Sequence, residues 1–235
     1  GMLLINQFKF SILFLVCTVL SLSSLFITTR LSKRKYVPLE HLSMEKQPFL
    51  NREAIPSAIM AFMVNIVWGA VTAFFPLYAV SQGVSNPGLF FGVLAITHVV
   101  GRTLGGRILD LYSRERVIFP CLIAYILSMF ILAFSKTLPL FILVAVIWGI
   151  GNAFLYPTLV AYAIDHARSS PGPAMGTFTA IADLGSGMGS VIMGIVLQLT
   201  NYLTMFLCLT LTGVINLLYF YFAIRKKGEG RYANL

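Results

Sequence analysis

GRTLGGRILDLYSRERVI, residues 101–118, gathers Arg102, Arg107, Asp110, Arg114, Glu115 and Arg116 within a few helical turns. The chain around it is 58% hydrophobic and only 11% charged over 235 residues. A water-soluble domain carries roughly a quarter of its residues charged, so this sequence is not built for water. Apolar runs flank the stretch on both sides, each near the ~20 residues a helix needs to cross a bilayer. The stretch reads as a short polar turn between two membrane spans.

Working outward, seven such runs emerge, at residues 10–29, 56–80, 88–109, 117–134, 139–164, 174–199 and 201–224. Backbone groups in lipid have no water to bond, so the runs are expected as helices. The fold class is an all-α integral membrane protein, and the lipid bilayer is its first partner. A signal peptide is the rival reading of the first run. Its apolar stretch is too long for an h-region, and no Ala-x-Ala site closes it.

The formal net charge of +9 does not mark a nucleic-acid binder, because the bases sit between runs and form no continuous surface. Alternate connections collect them. One set holds Arg30, Lys33, Arg34, Lys35, Lys46 and Arg52, then Arg107, Arg114 and Arg116, then Arg168, then Arg225, Lys226, Lys227 and Arg231. The opposite set holds Lys9 and Lys136, with Arg102 left inside a run. By the positive-inside rule the basic set is cytoplasmic, which puts the N-terminus outside and the C-terminus inside a cell membrane. Cys17, Cys121 and Cys208 fall within runs and follow no metal-ligand spacing, so they read as packing residues.

One phrase occurs twice. VWGAVTAFFP (67–76) and IWGIGNAFLYP (147–157) contain the chain's 2 tryptophans, Trp68 and Trp148, each opening Trp-Gly-x-x-x-Ala-Phe and ending in proline. The first copy lies in a run that leaves the cytoplasm, the second in a run that returns to it. The last six runs therefore form two triplets of opposite orientation, an architecture of secondary transporters. Pro76 and Pro157 each delete a backbone hydrogen bond within a span, and bent helices at matching repeat positions point to a substrate pathway.

The residue 101–118 turn resembles the signature loop of the major facilitator superfamily, roughly Gly-x-x-x-Asp-(Arg/Lys)-x-Gly-(Arg/Lys)-(Arg/Lys). Gly106, Asp110 and Arg114 match it; Leu111, Ser113 and Glu115 depart, with Arg116 one place late. The family carries this loop between helices 2 and 3 and a more degenerate copy between helices 8 and 9, and the second place suits a degenerate copy. The resemblance then makes the chain helices 6 to 12. Residues 1–29 hold the last helix of the N-terminal half and 30–55 the cytoplasmic interdomain loop. Residues 56–224 make the C-terminal six-helix bundle, and 225–235 a basic cytoplasmic tail. The residues from AYAIDHARSSPGPAMG onward are similar to the family's helix 10–11 region, with Pro173 as a departure. A complete member has twelve helices, so the other partner implied is the preceding five.

The resemblance implies a cytoplasmic gate: Asp110 facing the start of helix 11 near residues 172–175, and Arg107 and Arg114 pairing with Asp165. Gly106, Arg116 and Arg168 complete that cluster. Ordinary interfacial charges are the plainer reading. Inside the spans, His98 and Arg102 share one helical face, and Asp183 lies on another helix. At 1.5 Å per residue Arg102 and Asp183 lie about 12 and 13 Å in from the cytoplasmic ends, so a pair between them is geometrically open. Asp183 as a coupling-proton site, Arg102 as an anion site, and mutual neutralisation all stand. Asn65, Trp68, Trp148, Asn152 and Tyr156 are candidates to line a midplane cavity.

GSGMG (185–189) follows no strand, so a nucleotide loop fails its context; Gly185 and Gly189 instead have small-xxx-small spacing for helix contact. No cofactor, metal or enzymatic motif appears. The favoured reading is proton-coupled efflux of a small molecule by alternating access. Import of a small metabolite is one alternative, and a seven-helix receptor or sensor another. No run holds a lysine for retinal, and a receptor leaves the inverted phrase unexplained.

Overall fold

The computed structural model describes residues 10–31, 50–167 and 171–225. Most of the interdomain loop, the tail beyond 225 and Arg168 lie outside the described residues. The chain divides into two compact units after residue 46. The first contributes helix α1 (Phe10–Leu31). Its hydroxyls bond their own helix's carbonyls, as in Thr18 Oγ1 to the Phe14 carbonyl at 2.8 Å and Ser21 Oγ to that of Cys17 at 2.9 Å. Those hydroxyls are thereby satisfied without water, as an apolar medium requires.

The second unit holds α2 (Ile55–Ser81), α3 (Gly88–Leu111), α4 (Arg114–Phe134), α5 (Leu138–His166), α6 (Pro171–Leu199) and α7 (Tyr202–Tyr219). No strand occurs among the described residues. Five of these helices are long and apolar enough to cross a bilayer. The apolar parts of α1 (Phe14–Thr29) and α3 (Gly88–Thr103) are shorter, because Arg102, Arg107 and Asp110 occupy the last turns of α3. Apolar side chains point outward throughout, among them Leu77, Ile96, Phe130, Ile195 and Leu218. Such a surface belongs in lipid.

Local chemistry sets the ends. Asn51 Oδ1 accepts from the Glu53 amide at 2.9 Å to start a short 3-10 turn, and Pro56 follows within the first turn of α2. Asn201 Oδ1 accepts from the Thr204 amide at 3.0 Å to open α7. The α7 helix widens into a π turn at Phe220–Arg225. Pro173 needs no special account: α6 begins at Pro171, so both prolines sit in a first turn whose N–H groups have no helical partner anyway.

The helices pack chiefly as α2 on α6, α3 on α5, and α4 on both α5 and α7, with α2 also touching α5 and α7. Exchanging α2 with α5, α3 with α6 and α4 with α7 maps the α2–α6 contact onto α5–α3 and the α2–α7 contact onto α5–α4. The repeated phrase builds both crossings. Gly69 admits the Ser186 backbone of α6, and Phe74 covers Gly194. Gly149 admits Thr97 of α3, and Phe154 covers Gly105. The spacing between the two contacted positions is the same on α6 as on α3. The inverted triplets are thus visible in the packing itself.

Candidate functional site

The two tryptophans meet. Trp68 and Trp148 have ring centroids 5.3 Å apart, tilted by 46°. Trp148 is fully buried between Trp68, Phe90 and Tyr125, so it forms the wall behind a site and does not line one. Its Nε1 faces the Tyr125 hydroxyl without completing a hydrogen bond; that hydroxyl donates instead to the Val64 carbonyl of α2 at 2.6 Å. Asn216 Nδ2 of α7 donates to the Met60 carbonyl at 3.1 Å. These two bonds fix α2 from behind and set the depth of Trp68.

Trp68 is half-buried, and the imidazole of His98 stacks on it at 6.3 Å and 29°. His98 Nε2 and Asn152 Oδ1 are buried without hydrogen-bond partners. Asn152 lies one turn from both Trp148 and Tyr156, so α5 offers one polar-aromatic face. Tyr156 packs edge-on against Phe178 at 5.8 Å, beside Asn65 and within electrostatic range of Asp183. Counted along the helices at 1.5 Å per residue, these groups lie about 13–27 Å from the end of the bundle bearing the α3–α4 turn. That is the middle of helices about 40 Å long.

Asp183 and Arg102 do not pair. Both side chains are exposed, and neither makes an ion pair with any described residue. The pair was expected from depth alone, but α3 packs chiefly on α5 and α6 chiefly on α2, so the two helices that carry the charges are not principal neighbours. Arg102 instead stands one turn from His98 and acts on it electrostatically.

At the α3–α4 end, Arg114 Nε lies 3.3 Å from Asp165 Oδ2, joining the start of α4 to the end of α5. Arg116 and Gly106 are exposed, and a Cβ added at Gly106 would meet open space. Arg107 and Asp110 occupy the last turns of α3; their side chains lie outside the described residues. Sequence reasoning passed over His166, which stacks on Tyr162 at 4.0 Å. The four-residue spacing of Tyr162 and His166 was the available signal.

The sequence profile of the Major Facilitator Superfamily matches residues 87–234. The chain belongs to the Major Facilitator Superfamily. It is 29% identical over 217 residues to the staphylopine export protein of Staphylococcus aureus, covering 86% of this chain and 55% of that protein. It is 29% identical over 140 residues to an uncharacterised MFS-type transporter of Methanocaldococcus jannaschii, covering 58% of this chain and 36% of that one. The chain thus spans about half or less of the length of these curated relatives. It is a multi-pass membrane protein of a transporter family, and the receptor reading loses its ground.

Proposed function

We propose that the chain is the C-terminal part of a secondary active MFS transporter that exports a small molecule across the plasma membrane by alternating access, coupled to protons. The observation that carries this is the mid-depth meeting of the two inverted phrases at Trp68 and Trp148, with unpartnered polar atoms on His98 and Asn152 beside them. A site at the repeat interface, halfway through the membrane, is where alternating access needs one. The direction is supported by a relative named for export. The charge asymmetry supports an outward N-terminus and a cytoplasmic C-terminus. Residues 30–55 then join this six-helix half to the preceding helices.

Full-length protein in inverted membrane vesicles tests the reading, with staphylopine as first probe because a relative is named for its export. Accumulation that follows an imposed pH gradient and collapses with a protonophore is the expected result. Uptake indifferent to the gradient removes proton coupling.

The Arg114–Asp165 contact and the neighbouring Asp110 form the cytoplasmic gate of this reading. The pair is partly exposed, so Asp165→Asn changes thermal stability by at most about 1 kcal/mol. Coupling between gate and site is typically 1–3 kcal/mol, so Asp110→Asn or Asp165→Asn lowers transport about tenfold at unchanged membrane abundance. Full transport by both variants removes the gate.

A further inference from the structure

Two charges in the bundle have no ion-pair partner among the described residues. They are Arg102 and Asp183, and both are exposed. A lone charge within a membrane span costs up to roughly 2.5–3.5 kcal/mol on the mildest scale, the upper figure at the helix centre, so each gains from a counterpart outside the bundle. Their surroundings differ. Asp183 stands near Tyr156, which itself neighbours Asn65. Arg102 stands one turn from His98, whose ring lies against Trp68. Trp148 packs on Trp68 from another side, and the indole as a whole is half-buried. His98 Nε2 is buried with no partner of its own.

We infer that Arg102, His98 and Trp68 form the recognition end of the site, and that the substrate is a small organic anion bearing a planar ring. The inference rests on the transporter reading above. A guanidinium presents a rigid fork of N–H donors that matches a carboxylate at two points. An indole face holds a flat ring by stacking. His98 Nε2 supplies one further hydrogen bond, as donor or acceptor according to its tautomer. An organic cation of the same shape meets Arg102 as a like charge, and that repulsion gives selectivity. A flexible aliphatic anion satisfies the guanidinium and leaves the indole uncovered.

The chain's 2 tryptophans are both at this site, so its tryptophan emission reports here alone. The 235-residue chain in nanodiscs is titrated with benzoate, benzylamine, benzyl alcohol and acetate while that emission is followed. Benzoate produces a saturable change, and each of the other three binds about tenfold more weakly or less. Arg102→Gln weakens benzoate about tenfold, the value of a charge-assisted hydrogen bond. Arg102→Lys, which keeps the charge and loses the fork, falls between. Lys136→Gln, a loop cation outside the site, changes nothing, and far-UV circular dichroism checks that each variant remains helical. Benzylamine binding as tightly as benzoate overturns the anion; acetate binding as tightly overturns the ring. An Arg102→Gln protein that binds benzoate normally overturns the site. No response to benzoate in a chain whose full-length form still shows gradient-driven transport removes this inference and leaves the transporter. Benzoate binding without transport in the vesicle assay does the reverse.

Discussion

Alanine at Gly189 lowers the melting temperature of the detergent-solubilised protein by about 3–10 °C. The size follows from overpacking costs of ~1–3 kcal/mol and from ~2–4 °C per kcal/mol for a chain of this length. A Cβ at Gly189 would overlap the Ile66 carbonyl, and one at Gly185 would overlap that of Phe62. Both obstacles are backbone of α2, which cannot rotate aside as a side chain would. The helices must separate, and with them goes the depth at which Trp68 faces Trp148. Gly187 is the internal control: it lies between the other two on the same helix, and a Cβ there meets open space. Gly187→Ala leaves the melting temperature unchanged or raises it by up to about 4 °C, since alanine favours a helix over glycine by up to ~1 kcal/mol. Equal melting for the Gly189 and Gly187 variants would contradict the close crossing.

The second large effect belongs to Asp183. In the full-length transporter, Asp183→Asn reduces pH-gradient-driven accumulation about tenfold or more, while exchange of substrate at equal pH on both sides persists. A carboxylate exposed within a span can take and release a proton; the isosteric amide cannot. The split between driven transport and exchange separates a coupling role from a packing one, because damage to packing lowers both. Gradient-driven accumulation at the parent level would end the proton assignment.

The helices were legible because lipid leaves a chain few choices: an apolar run of sufficient length must close its own hydrogen bonds. Their inversion was legible because one phrase with a tryptophan occurs in two runs of opposite direction. The mechanical sense of the phrase was not. Nothing in the letters says that Gly69 and Gly149 face neighbouring backbones, or that Phe74 and Phe154 cover glycines on α6 and α3. Depth could be counted from a helix end, which is why Arg102 and Asp183 were placed at one level. Which helix stands beside which could not be counted, and the pair failed on that point. Trp148 failed likewise as a lining group, because the ring of Tyr125 and that of Phe90 bury it from directions no periodicity reveals.

Two copies of a phrase in one chain would be free to differ if each answered only to its own neighbours. Here the two copies lean on one another: each indole is part of the other's wall. A substitution at either tryptophan therefore alters the surroundings of both.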